Sequence, residues 1–124
     1  SFVKLGIIPG DGGAWFLPRV VGYSNACRMA FSGDPVLADE ALRIGLVSEV
    51  VAPEALVDRA IGLAQSIASN PPHAVRLTKQ LMRASANSSL DELLDKSAAF
   101  QAVCHAEPDH LEAVAAFFEK RPGK

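Results

Sequence analysis

The sequence predicts a mainly α-helical chain carrying a single strand. Two observations point to helix: beyond Pro53 apolar residues recur at helical spacing almost without interruption, and before it short apolar stretches are cut by Gly and Pro into brief helical pieces. A third supplies the strand, because only Leu46-Val47-Ser48-Glu49-Val50-Val51 reads as extended chain.

The opening Phe2-Val3-Lys4-Leu5-Gly6-Ile7-Ile8 is apolar and short, and it ends in the turn Pro9-Gly10-Asp11-Gly12-Gly13. Asp11 is placed to cap a helix that starts near Gly12 and runs through Trp15, Leu17 and Val20. Pro18 lies inside that pattern and should kink or shorten it, since it removes a backbone donor. A second helix is expected over residues 25–31, stopped by Gly33, and a third over residues 38–44, stopped by Gly45.

In the second half Pro53 suits the first turn of a helix that places Leu56, Ala60, Leu63, Ala64 and Ile67 on one face. Asn70-Pro71 reads as a cap and first-turn proline opening a helix to about Ala84, with Leu77, Leu81 and Ala84 inward. Ser89-Leu90-Asp91-Glu92 has capping-box spacing and leads into a helix showing Leu93, Ser97, Phe100 and Cys104. Pro108 opens the last helix, whose Leu111, Val114, Ala115 and Phe118 form an apolar stripe. One strand cannot make a sheet, so the first half requires pairing partners that these residues do not supply. The start at Ser1-Phe2-Val3-Lys4, without Met, fits a chain entered in the middle.

With 124 residues the chain has room for one small core, and its 49% apolar and 21% charged residues are ordinary for a soluble globular protein. A net charge of −2 gives no reason to expect nucleic acid as a partner. No long uncharged apolar run predicts a membrane span. Cys27 and Cys104 are distant and outside any CxxC pair, which suits reduced thiols in a cytoplasmic protein.

Few residues suggest chemistry by themselves. The turn at Gly10, Asp11, Gly12 and Gly13 leads into a helix, where free N–H groups could hold an anion or polarise an oxygen; taken alone, a purely structural tight turn is the better reading. It lacks the Lys-Ser/Thr of a P-loop and the spacing of a dinucleotide fingerprint. His105 and His110 straddle Pro108 with no cysteine pair nearby, so they and His73 read as solvated histidines at helix ends, not as metal ligands. Arg76, Lys79 and Arg83 form a basic stripe of a solvated face. Glu107, Asp109 and Glu112 gather at a helix start, where negative charge suits the dipole.

Four segments in order resemble one family. Leu5-Gly6-Ile7-Ile8-Pro9-Gly10-Asp11-Gly12-Gly13 followed by Leu17-Pro18-Arg19-Val20-Val21-Gly22 resembles the glycine-rich signature of the enoyl-CoA hydratase/isomerase (crotonase) family. Ala38-Asp39-Glu40-Ala41 with Gly45-Leu46-Val47 and Val50-Val51, Asn70-Pro71-Pro72 with Thr78-Lys79, and Phe117-Phe118-Glu119-Lys120-Arg121 resemble later family segments. The resemblance implies the α/β crotonase fold: residues 1–52 as the end of the spiral core and 53–124 as the helical trimerisation domain, in a homo-trimer or hexamer.

It further implies an acyl-CoA thioester as substrate, no separate cofactor, and an enolate held by two backbone N–H donors that lie upstream of these residues. Gly10 aligns with the turn glycine whose N–H can hold the reacting water. The second acid/base glutamate of the hydratases falls at Phe2, and the carboxylate that certain isomerases carry falls at Gly10, one residue before Asp11. Phe117 and Lys120 match residues near the nucleotide end of CoA. Hydration of 2-enoyl-CoA is therefore the leading expectation. The alternatives are a double-bond isomerase using Asp11, or a non-catalytic helical module for CoA binding or assembly.

Overall fold

A computed structural model describes residues 2–121. After a 3₁₀ turn at Phe2–Leu5 come α1 (Gly13–Val21), α2 (Tyr23–Ser32) and α3 (Ala38–Arg43). A second 3₁₀ turn, Pro53–Ala55, precedes α4 (Leu56–Ala68), α5 (Pro72–Ala84), α6 (Leu90–Ala106) and α7 (Pro108–Glu119). The chain divides into two compact units, one ending at Leu56 and the other beginning at Val57.

In the first unit α1 continues through Pro18 to Val21, so the proline does not end it. α1 packs on α2, and the core consists of Val21, Ala26 and Ile44 with Leu17, Met29, Val36 and Leu46 against them. The C-terminus of α2 is closed by Gly33, whose left-handed φ of 62° lets its N–H reach Met29 O.

The expected strand at residues 46–51 does not form, and no strand occurs among the described residues. Its first amides are used elsewhere. Gly45 turns left-handed at φ 74°, its N–H bonds Leu42 O at 3.1 Å, and Leu46 N–H bonds Ala41 O at 2.8 Å. That is the paired bonding of a Schellman cap, and it carries Leu46 into the core. With no neighbouring strand among the described residues, a β ladder would leave these groups unpaired.

In the second unit α5 packs on α6 and α6 on α7. Leu77 is buried, and Leu81, Ala84, Leu93, Ser97, Phe100 and Cys104 are half-buried, as their helical spacing predicts. The capping box forms: Ser89 Oγ accepts Glu92 N–H at 3.3 Å, while Ser89 N–H donates to Glu92 Oε2 at 2.8 Å.

Two expectations in this unit need correction. Asn70 does not cap α5; its amide instead donates to Ser66 O (2.9 Å) and Ile67 O (3.2 Å), closing the end of α4. Pro71 takes the N-cap position of α5, where the missing N–H costs no helical bond. On α7 the packed side is Ala113 and Ala116, whereas Leu111 and Phe118 are 68% and 78% exposed. The smaller residues allow close helix approach, and the larger ones face outward. The apolar residues of α4 are exposed as well: Leu56, Val57, Ile61, Leu63 and Ile67 are all on the surface.

Candidate functional site

The glycine-rich turn is built around two local bonds. Gly10 N–H donates to Ile8 O at 2.9 Å, and Asp11 Oδ1 accepts Gly13 N–H at 3.0 Å. The expected cap shifts by one residue: Gly12 takes the N-cap of α1 without a side-chain bond, and Asp11, one position before it, reaches only the first helical N–H, that of Gly13. Gly12 occupies φ 93°, and a Cβ there would lie 3.1 Å from the Phe16 ring, so glycine is required on both conformational and steric grounds. Trp15 and Phe16 N–H both reach Gly12 O at 3.0 Å. The result is an exposed loop at the positive end of α1, a setting suited to an anion or a developing oxyanion. One turn further on, the Arg19 guanidinium lies 3.2 Å from the Trp15 ring centroid and Nη1 donates to Trp15 O at 2.9 Å. This cation–π contact fixes the indole beside the turn. The i,i+4 spacing of Trp15 and Arg19 is the sequence signal for this pair, which the family motif alone does not single out.

The other candidate residues lie at the end of α7. Phe117 is exposed and meets Phe118 edge-on at 5.8 Å. It borders a groove of 680 Å³ shared with Asn70, Pro71, Glu112, Ala116 and Arg121. Lys120 is exposed and ends the helix in the left-handed region, at φ 53° and ψ 39°. Its N–H bonds Phe117 O at 3.3 Å, and Arg121 N–H bonds Ala116 O at 3.1 Å. Arg121 then folds back onto Glu112, with Nη1–Oε1 at 2.5 Å and Nη2–Oε2 at 3.2 Å, and reaches Glu119 with Nε at 2.5 Å. Hydrogen bonds from Glu112 foremost, then Glu119, raise the guanidinium pKa above its ordinary value. Sequence reasoning missed this latch, because a separation of nine residues is no helical neighbour spacing and closes only once the chain reverses at Lys120. Gly10 and Asp11 thus share one loop of the first unit, and Phe117 and Lys120 one corner of the second.

His105 is exposed, as its sequence suggested, while His73 and His110 are half-buried. His73 Nδ1 lies 2.9 Å from Glu107 Oε1, and the His105 and His110 rings approach to 4.8 Å across the α6–α7 corner. His73, Cys104, Glu107, Asp109 and His110 line a cleft of only 90 Å³. Among the described residues no three His, Cys, Asp or Glu side chains are placed to share a metal ion. Arg76, Lys79 and Arg83 are exposed. No helix among the described residues is long and apolar enough to cross a membrane.

A helical array led by this glycine-rich turn defines a class. The family model for enoyl-CoA hydratase/isomerase matches residues 1–124, and the chain belongs to that family. It is 41% identical over 119 residues to a short-chain-enoyl-CoA hydratase of Clostridium acetobutylicum, covering 96% of this chain and 46% of that protein. It is 37% identical over 121 residues to a 1,2-epoxyphenylacetyl-CoA isomerase of Escherichia coli, covering 98% of this chain and 46% of that one. Among solved structures, the enoyl-CoA hydratase of Bacillus anthracis superposes with a TM-score of 0.95 at 37% identity, over 98% of this chain and 47% of the other. The crotonase fold is thereby shown, and the chain spans about half the length of the relatives it matches.

Proposed function

We propose that the polypeptide bearing these residues acts on acyl-CoA thioesters as an enoyl-CoA hydratase, adding water to a 2-enoyl-CoA through an enolate held by backbone N–H donors. The observation that carries this reading is a family match along the whole chain, with hydratases among the relatives at 41% identity. In this role the Gly10–Gly13 loop borders the reacting acyl group, Gly10 presents the turn to the water, and Asp11 holds the loop on the N-terminus of α1. Phe117 and Lys120 take the nucleotide end of CoA, the ring by stacking and the ammonium by charge-assisted bonds to phosphate. Acyl-CoA is the substrate, and the chemistry needs no separate cofactor.

Assembly into a homo-trimer or hexamer, in the cytoplasm, is part of the same proposal. It is supported by the large apolar side chains left on the surfaces of α4 and α7. Residues 1–52 belong to the spiral core in this scheme, and 53–124 to the trimerisation domain.

A second reading, double-bond isomerisation with Asp11 as base, draws on the similarity to the epoxyphenylacetyl-CoA isomerase and on Phe2 standing where the hydratases carry a glutamate. The third, a non-catalytic helical module for CoA binding or assembly, draws on Phe2 alone. Incubating the native polypeptide with crotonyl-CoA and with a 3-enoyl-CoA separates all three. Loss of the conjugated thioester absorbance of crotonyl-CoA supports the hydratase, and conversion of only the 3-enoyl substrate supports the isomerase. Binding without turnover of either leaves the module.

A further inference from the structure

The reversal at the end of α7 is unusual in its residue. Among the described residues Lys120 is the only non-glycine at positive φ, whereas glycines hold that conformation at five other places. Left-handed backbone is disfavoured for a lysine, since its Cβ crowds the following carbonyl. The two capping bonds, Lys120 N–H to Phe117 O and Arg121 N–H to Ala116 O, are backbone bonds that glycine would make equally well. They do not explain a lysine here. What distinguishes this turn is the side-chain latch beyond it. Arg121 grips both oxygens of Glu112 and one of Glu119, contacts made with residue 120 in the left-handed state.

With two carboxylates on it, Arg121 is poorly suited to meet an incoming phosphate. The exposed cation on the same turn is Lys120. We propose that Arg121 is a positioning residue: its ion pair with Glu112 holds the left-handed turn that presents the Lys120 ammonium to a phosphate of the CoA ligand. This rests on the proposed role of Lys120 in binding CoA.

The test uses the native polypeptide and CoA itself as probe, with Kd measured by calorimetry over a series of NaCl concentrations. Lys120→Ala should weaken binding about tenfold and flatten the salt dependence. Arg121→Gln should weaken it roughly three- to tenfold in the parent but have no further effect when Lys120 is already Ala. Glu112→Gln, which loosens the latch without touching either cation, should act in the same direction as Arg121→Gln. If Lys120→Ala leaves affinity unchanged, the CoA role of Lys120 fails and the positioning role with it. If Lys120→Ala weakens binding but Arg121→Gln weakens it equally in both backgrounds, or in neither, the CoA role stands and the positioning role is overturned.

Discussion

Replacing Asp11 by Asn separates the two roles open to the only carboxylate in the glycine-rich turn. In the structure Asp11 Oδ1 accepts Gly13 N–H at 3.0 Å, and an Asn carbonyl can accept the same bond. What Asn removes is the negative charge at the start of α1, worth about 0.3–1 kcal/mol at an exposed helix N-terminus. In a domain of this size that corresponds to a fall in melting temperature of roughly 1–4 °C. Ala, which also loses the bond, should cost about 1 kcal/mol more. A general base makes a far larger demand, because its loss lowers turnover by roughly 10²–10⁴-fold. The hydratase reading assigns Asp11 a capping role, so Asp11→Asn is expected to hold kcat within about fivefold while melting slightly earlier. Steady-state kinetics on crotonyl-CoA and a 3-enoyl-CoA, beside a thermal melt, make the comparison. A loss of kcat of a hundredfold or more at unchanged melting temperature would refute the capping argument and establish the isomerase base.

Lys120→Gly removes the left-handed strain at the end of α7 and should stabilise the fold by about 1 kcal/mol, read by chemical denaturation, while it weakens CoA binding. Ser89→Ala breaks the capping box of α6 at a cost of about 1 kcal/mol. Hydrogen bonds from the Ser89 backbone, then its side chain, hold the Glu92 pKa below its reference of 4.5, so this stabilisation is complete above that value and lost as pH falls through the depressed one. Glu92→Gln keeps the box but cannot titrate, and should remove that part of the acid dependence of helicity followed by circular dichroism. The 124-residue chain by itself should not hydrate crotonyl-CoA at an enzyme-like rate, since the oxyanion donors implied by the family lie upstream and each is worth roughly 10²–10³ in rate; saturable turnover by the purified chain would contradict this.

Local chemistry was legible wherever a residue acts on its near neighbours. The Ser89–Glu92 box, the Gly33 and Gly45 stops and Pro108 at the start of α7 all follow from bonds spanning a few residues, and all are present, whereas Asp11 bonds Gly13 N–H from one position before the Gly12 cap. Asn70 was misassigned for an equally local reason. An Asn between two helices can accept from the helix ahead or donate to the one behind, and with Pro72 supplying no N–H at the start of α5 the amide turned back to Ser66 and Ile67. The site was legible in part. The turn at Gly10–Gly13 and the Phe117–Lys120 corner were visible as motifs, but the Arg121–Glu112 latch depends on a backbone reversal that no residue in the sequence advertises, because its hinge is a lysine.

The larger errors share one physical cause. Periodicity tells which side of a helix is apolar, and β-branched composition tells which segment would pair well, but neither says whether a partner is there. On α7 the sequence marked Leu111 and Phe118 as inward, and they are the exposed ones, while Ala113 and Ala116 make the contacts within the unit. Val47 and Val50 suit a strand, yet they are exposed in irregular chain, with Val47 N–H turned back to Ala41 O at 3.3 Å. Both segments have the composition of buried structure without the burial. α4 adds a third, five large apolar side chains on its surface in a helix that the described residues leave uncovered. Surface of this kind costs about 25 cal/mol per Å² in water, so covering it is the driving force available to the assembly proposed above. The exposed apolar side chains at Val47 and Val50 and on α4 and α7 are the surfaces that the proposed assembly would cover.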